Sequence, residues 1–168
     1  MEVDPLIDAW EAAWSGREVS AFRQVCVGDL HFEDPLSKRP LQGVDKLEAR
    51  ANRLWKAFPD LRVEGSGPRL AQDDHVAAPI RIVGTHRSPI SGIPATGRTL
   101  SLQAVCFCEV RHGLLGRVRV FYDLHDAQVQ MGAAPEAGSA AERAMRVVMG
   151  FGLRAPKLPG LFQPGSNR

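Results

Sequence analysis

The sequence predicts a small α+β fold, in which three helices pack on a curved antiparallel sheet and close a cone around a hydrophobic pocket. Three observations predict it. Apolar residues recur at helical spacing through the first third of the chain, and they alternate in strand fashion after Pro59. The length of 168 residues is enough for one such core and a tail, but not for a second core.

The helices come first. Asp4 is a suitable N-cap and Pro5 suits a first helical position, so we expect a helix from there to Trp14. Two more helices are predicted by their apolar stripes, over 18–27 and from Gly43 to about 57.

The strands follow. A short strand is predicted between the second and third helices, at 30–34. After the third helix, alternation predicts extended segments at 61–70, 76–85, 99–110 and 115–123. The Pro- and Gly-rich stretch 88–97 is too long for a tight hairpin, so it is predicted as a loop.

Composition changes after this meander. We therefore expect a domain over 1–132 and a C-terminal extension over 133–168. The extension is predicted to contain a helix at about 139–152 and an irregular end.

Charge and cysteine content limit the class of function. The formal net charge is only +2 and the basic residues are scattered, which does not favour nucleic-acid binding. No apolar run reaches the roughly 18 residues of a membrane helix, and the acidic N-terminus does not resemble a signal peptide. Three cysteines without framework spacing indicate reduced thiols and a cytoplasmic location. Neither a metal site nor a nucleotide-binding loop is predicted, so we expect no cofactor.

Three polar residues end predicted strands, where a carboxylate or imidazole can face an apolar cavity: Asp34, His86 and Asp123. Each also has a structural interpretation. Asp34 before Pro35 can cap a turn, His86 can be a hydrogen-bonded structural residue, and Asp123 can be the N-cap of a short helix. Spacing alone does not choose among these roles.

Several short motifs, taken in order, resemble the SnoaL-like polyketide cyclase family of the nuclear transport factor two-like superfamily. They are Trp10–Trp14, Phe32-Glu33-Asp34-Pro35, Leu41-Gln42-Gly43, Phe58-Pro59-Asp60, Gly84-Thr85-His86, 92–97, 109–113, Tyr122-Asp123 and Gln130-Met131-Gly132. The resemblance implies a cone-shaped barrel around a hydrophobic cavity, commonly in a homodimer.

The resemblance also implies site residues. Asp123 stands at the position of the cyclases' acid/base aspartate, which removes a proton α to a carbonyl. The cyclases' second polar group, a histidine, is replaced here by Cys108 or Glu109. His86 is a hypothetical substitute that would polarise the substrate oxygen.

The rest of the expected site binds substrate. Asp34 and Gln103 would orient polar substituents, and Tyr122 is also expected in the substrate-binding set. The walls are expected from Trp14, Phe32, Trp55 and Phe58. A steroid-isomerase-like site is disfavoured because Tyr122, next to Asp123, is expected to point the other way.

Two functions are therefore expected from the sequence. The first is a cofactor-independent enzyme that cyclises or isomerises a small or polyketide-like apolar carbonyl compound. The alternative is a non-catalytic module of the same fold that binds a small molecule or a partner, since fold does not determine function.

Overall fold

The structure, a computed structural model, describes residues 4–149, and it divides into two units after Ala134. The helices of the first unit are α1 (Asp4–Gly16), α2 (Ser20–Val25), α3 (Val44–Ala57) and α4 (Leu124–Met131). Its strands are β1 (Cys26–Glu33), β2 (Leu41–Gln42), β3 (Arg62–Gly65), β4 (Leu70–Gln72), β5 (His75–Thr85), β6 (Thr99–Arg111) and β7 (Leu114–Tyr122). The α+β class, with three N-terminal helices and a curved sheet, is confirmed.

One seven-stranded sheet contains all the strands, in the order β2-β1-β7-β6-β5-β3, with β4 pairing with β5. The long β5–β6 and β6–β7 pairs are antiparallel, as the meander predicts. The pair β1–β7 is parallel, with Phe32 opposite Val118 and Glu33 opposite Arg119. This differs from the fully antiparallel sheet that we expected. The parallel pair brings the C-terminal ends of β1 and β7 to the same edge of the sheet.

The two faces of the sheet are visible in β6. Leu100, Leu102 and Ala104 are buried on the inner face, whereas Ser101 and Gln103 between them are exposed. A strand with one buried and one solvated face shows this period of two.

An aromatic cluster joins the helices to the inner face of the sheet. The Trp14 ring lies 5.0 Å from that of Phe22 and 6.4 Å from that of Trp55, both edge-on, and Phe22 stacks on Trp55 at 6.1 Å. Trp10 and Phe32 complete the cluster, and all five rings are buried. Such pairs add to the free energy of burial because ring edges meet ring faces.

After β7 the chain leaves the sheet and forms α4. The side-chain amide of Gln130 then takes the place of a strand neighbour for Ser101: its Oε1 accepts from the Ser101 N–H at 2.8 Å, and its Nε2 donates to the Ser101 carbonyl at 3.0 Å. Gly132 ends the helix with φ of 75°, a left-handed conformation that favours glycine. These contacts hold α4 against β6.

The second unit contains α5 (Ala140–Val148), capped by Ser139, whose Oγ accepts from the Glu142 N–H at 3.1 Å. The helix predicted at 139–152 thus ends earlier among the described residues. Positions 150–152 and the irregular end predicted beyond them lie outside the part of the chain that the structure describes.

Candidate functional site

A cavity of about 520 Å³ opens between the helices and the inner face of the sheet. This volume lies in the range of pockets that hold drug-sized ligands, roughly 300–1,000 Å³. Its walls are mostly apolar and include Trp14, Phe32 and Phe58, three of the four aromatic walls predicted from the sequence. The mouth is formed by the loop after β1, by the 90–93 turn and by α4.

Asp34 lies one residue beyond β1 and contributes the only acidic side chain among the lining residues in the described part of the chain. Its side chain is only 6% exposed. The Oδ1 atom accepts a hydrogen bond from Ser37 Oγ at 2.7 Å, and Arg50 Nη2 lies 3.5 Å from the same oxygen. Among residues 4–149, Oδ2 has no hydrogen-bond partner, so one oxygen is held by the protein and the other is available to a ligand.

Tyr122, the last residue of β7, also lines the cavity, on the same side of the strand as the buried Val118 and Val120. Burial, together with the nearby Asp34 carboxylate, raises the pKa of the Tyr122 phenol, although Arg50 acts in the opposite direction. The phenol therefore stays protonated at neutral pH and is a hydrogen-bond donor. Tyr122 faces the cavity, and the sequence-based expectation that it would point the other way is corrected.

Asp123 does not lie on the cavity wall. It is exposed and is the N-cap of α4, where its Oδ1 accepts a hydrogen bond from the Asp126 N–H at 3.0 Å. The geometry therefore matches the structural interpretation of Asp123, as the N-cap of a short helix. The reason is local: Tyr122 takes the inward position at the strand end, and the chain turns into the helix at the next residue.

His86 does not line the cavity either. Its side chain is fully buried (0% exposed), its ring stacks on Phe58 at 5.2 Å, and its Nδ1 lies 3.2 Å from Thr96 Oγ1. Phe58 therefore contacts both His86 and the cavity, and His86 itself is not among the lining residues. Its place is behind the wall, at the base of the 88–97 loop.

Two predicted substrate-binding residues also lie outside the cavity. Gln103 is exposed on the outer face of the sheet, opposite Arg81 in the β5–β6 register. Trp55 is buried in the aromatic cluster, and its Nε1 donates to the Trp14 carbonyl at 2.9 Å. It supports the wall from behind. Strand register decides the first case, because a residue one position away faces the opposite side.

Other residues of the site were not predicted from the sequence. Ser37 and Lys38 line the mouth, Gln128 of α4 lines one side, and Arg50 of α3 supports Asp34 from outside the lining. The spacing of Asp34 and Ser37 is a signal for a local turn, and it could have indicated Ser37. Arg50 has no such signal, since its contact joins residues 16 positions apart in sequence.

The cysteines belong to the apolar framework. Cys106 lines the cavity, and burial raises the pKa of its thiol to about 12, so it contributes an uncharged surface. Cys108 is fully buried beside it on the inner face, whereas Glu109 on the outer face pairs with Arg117 at 3.4 Å. Neither Cys108 nor Glu109 lines the cavity, so neither takes the place of a histidine there.

The described residues contain no group of three or more side chains arranged to hold a metal ion. Over the same range, none of the helices has both the length and the apolar character needed to cross a membrane.

Comparison with solved structures places this fold among known ones. TsrD from Streptomyces laurentii superimposes with a TM-score of 0.70 at 22% identity, over 79% of this chain and 96% of that one. AclR from Streptomyces galilaeus superimposes with a TM-score of 0.70 at 21% identity, over 89% of this chain and 92% of that one. A Catenulispora acidiphila protein with a ketosteroid isomerase-like fold, in complex with trimethylamine, superimposes with a TM-score of 0.66 at 18% identity, over 78% of this chain and 95% of that one. At these identities the likeness shows the fold alone.

No curated protein matches the sequence. The family model for SnoaL-like polyketide cyclases matches residues 5–131, which span α1 to α4 and therefore every element that lines the cavity. The motif resemblance seen in the sequence is thus confirmed. The chain belongs to the SnoaL-like polyketide cyclase family.

Proposed function

We propose that this protein is a cofactor-independent enzyme that moves a proton α to the carbonyl of an apolar substrate and so promotes aldol-type cyclisation or isomerisation. The observation that carries the proposal is the position of Asp34, the sole carboxylate lining the apolar cavity among the described residues. Family membership supports the cyclase or isomerase class of chemistry. The acid/base role, expected from the resemblance at Asp123, is assigned here to Asp34.

The proposed chemistry needs two groups. Asp34 Oδ2 takes a proton from the carbon next to the carbonyl, and the C–H bonding electrons become the enolate. The Tyr122 hydroxyl donates a hydrogen bond to the enolate oxygen, where negative charge develops. In an isomerisation, Asp34 returns the proton to another carbon. In a cyclisation, the enolate carbon bonds to a second carbonyl carbon, and the resulting alkoxide takes the proton from Asp34.

The cavity also supports a substrate class. Its walls of Trp14, Phe32, Phe58 and aliphatic side chains suit a flat apolar ring system of a few fused rings. Polar lining groups are concentrated near the mouth, where Ser37, Lys38 and Gln128 lie. The proposed substrate therefore places its reacting carbonyl near Asp34 and Tyr122 and its apolar rings against the aromatic floor.

We also propose a homodimer that forms through the outer face of the sheet. Val105, Phe107 and Phe121 are exposed there by 38%, 37% and 58%, and Val105 lies opposite Phe121 in the β6–β7 register. The rim of the patch carries both positive and negative charge, in the ion pairs Glu109–Arg117 and Glu33–Arg119. Such a surface can pair with a second copy of itself.

Sedimentation velocity tests the dimer. Phe121→Arg is expected to convert it to monomer, because a charge would be buried at the centre of the contact. Lys46→Glu, a charge change on the exposed side of α3, is the control and is expected to leave the dimer intact. A wild-type protein that sediments as a monomer at all concentrations would refute the proposed dimer.

The described cysteines are all free thiols, which supports a reducing compartment and hence the cytoplasmic location expected from the sequence.

The catalytic proposal is tested with 2-tetralone, a bicyclic apolar ketone with acidic α-hydrogens. Its exchange of hydrogen for deuterium in D₂O, followed by proton NMR, reports proton abstraction without any need for the natural substrate. We expect the wild type to accelerate exchange and Asp34→Asn to remove about 10²–10⁴-fold of that acceleration. Asp123→Asn is the matched control and is expected to exchange like the wild type.

Two outcomes would contradict the proposal. If Asp34→Asn accelerates exchange as well as the wild type, Asp34 is not the base. If 2-tetralone binds to the cavity but its exchange is never accelerated, the non-catalytic binding module is favoured instead.

A further inference from the structure

The turn after β1 holds the Asp34 carboxylate by one oxygen. The Ser37 N–H donates to the Asp34 carbonyl at 3.0 Å and the Ser37 hydroxyl donates to Oδ1 at 2.7 Å. Arg50 Nη2 donates to that same hydroxyl oxygen and lies 3.5 Å from Oδ1. All the contacts that fix this carboxylate therefore converge on Oδ1.

Arg50 reaches this point from a different element. It lies three residues after Leu47 and four before Leu54, so it faces the same side of α3 as a buried leucine and a cavity-lining leucine. Arg50 itself is not among the residues that line the cavity in the described chain. It can therefore affect a ligand only through the groups that it touches.

Burial makes this contact consequential. The side chains of Asp34 and Arg50 are 6% and 13% exposed, so water and salt screen the pair far less than an ion pair on the surface. Arg50 Nε is buried without a hydrogen-bond partner among the described residues, and this desolvation costs free energy. A carboxylate in an apolar cavity needs such a counter-charge to remain a base.

We propose that Arg50 is the positioning residue of this site: through Oδ1 it fixes the orientation of Asp34, supplies the counter-charge and leaves Oδ2 as the oxygen that faces the substrate. This inference rests on the proposed role of Asp34 as the base. The other titratable groups beside the carboxylate are Tyr122 of β7, which interacts with both Asp34 and Arg50, and Lys38, which lines the same mouth.

The test compares Arg50→Gln, Arg50→Lys and the matched control Arg53→Gln, whose arginine is exposed one turn further along α3. The first readout does not depend on activity: the pH at which the carboxyl ¹³C NMR signal of Asp34 titrates. We expect Arg50→Gln to move this signal's midpoint to higher pH, because an opposite charge is removed from beside a buried carboxylate. Arg50→Lys keeps the charge and is expected to move it less, and Arg53→Gln not at all.

The second readout is 2-tetralone exchange as a function of pH. Arg50→Gln is expected to lower the exchange rate at least tenfold and to shift the acidic limb of the profile to higher pH, with affinity for the ketone within twofold of the wild type. A purely structural role would lower affinity and folded fraction together and leave the limb where it is.

Failure of the positioning role of Arg50 and failure of the proposed base, Asp34, give different results. If the Asp34 signal titrates identically in wild type and Arg50→Gln, the positioning role is wrong even when Asp34→Asn abolishes exchange. If Asp34→Asn exchanges normally, the proposed base is wrong, whatever the NMR titration shows. Should Arg50→Gln fail to fold, Arg50→Lys decides: a fall in ketone affinity and folded fraction together, with the exchange rate of the bound ketone as in the wild type, would show a purely structural role and refute the proposal.

Discussion

Asp34 and Asp123 occupy equivalent places directly after two neighbouring parallel strands, yet their surroundings differ. Each follows its strand by one residue, and each accepts a hydrogen bond from a group three positions later in the chain. Asp34 accepts from a side chain, Ser37, and its carboxylate lies in the cavity, 6% exposed. Asp123 accepts from the backbone N–H of Asp126 and lies in solvent, at the start of α4.

The difference comes from the residues on either side. After Asp34 the equivalent N–H, that of Ser37, donates to the Asp34 backbone carbonyl at 3.0 Å instead of to the carboxylate, and the chain continues as a loop across the cavity mouth. After Asp123 the chain forms a helix, whose free N–H groups take the carboxylate as a cap. Two carboxylates at strand ends are therefore not equivalent: the segment that follows decides which one remains available for chemistry.

Among variants near these two strand ends, we expect the largest effect at Tyr122, which faces the cavity immediately before Asp123. Tyr122→Phe removes the hydroxyl donor and should lower 2-tetralone exchange by about ten- to a hundredfold, the range for a hydrogen bond to a charged group. Phe121→Leu, one residue away on the outer face, is the control. Equal rates for Tyr122→Phe and wild type would remove Tyr122 from the proposed chemistry.

Gln130 should show the next largest effect. Gln130→Leu leaves the Ser101 N–H and carbonyl without their side-chain partner and should lower the free energy of unfolding by about 1–2 kcal/mol. Urea denaturation measures this change. Because α4 lines the cavity, ketone affinity is expected to fall as well. Unchanged stability would show that Gln130 does not hold the helix that Asp123 caps.

Asp123 itself should affect stability alone. Asp123→Ala removes the N-cap of α4 and is expected to lower the free energy of unfolding by about 1 kcal/mol, with 2-tetralone exchange unchanged. Asp123→Ser restores a capping oxygen and should recover most of the loss. A large fall in exchange with unchanged stability would reverse the assignment of the two aspartates.

The smallest effect concerns acid stability and a third carboxylate, Asp60. It accepts from the Thr85 N–H at 2.6 Å and from the Thr85 hydroxyl at 2.7 Å, and these bonds hold its pKa below the usual value. A depressed pKa stabilises the fold above the unfolded-state pKa, about 3.9 for aspartate, and the contribution is lost as pH falls through the folded-state value.

Asp60→Asn should therefore be less stable than the wild type at pH 6, and this difference in the free energy of unfolding should be smaller at about pH 3. Urea denaturation at both pH values measures it. A gap of the same size at both would mean that the carboxylate charge is not what Thr85 recognises.

Much of this fold was predictable from the sequence, because helix and strand periods are local properties. The third helix begins one residue after Gly43 and ends at Ala57, as expected. The second helix is shorter than predicted, since Cys26 pairs with Leu115 of β7 and both Cys26 and Val27 become part of β1. The sheet therefore competes with the helix for residues whose apolar spacing suits both, and the long-range contact prevails.

The candidate site was less predictable. Asp34, Trp14, Phe32, Phe58 and Tyr122 were all named from the sequence, and the structure places all five at the cavity. Asp123, His86, Gln103 and Trp55 were named for the same reasons and lie elsewhere. Strand ends and aromatic motifs identify polar and apolar candidates, but they do not show which side of an element each candidate faces.

The sequence by itself determined the α+β class, the order of helices and strands, the apolar character of the pocket and the family. These depend on composition, local period and motif order. Only the tertiary structure decided that β1 and β7 run parallel and deliver Asp34 and Tyr122 to the same edge, and that Arg50 reaches Asp34 from α3. The physical reason is that register and helix packing are set by long-range burial, which places residues together that no spacing along the chain connects.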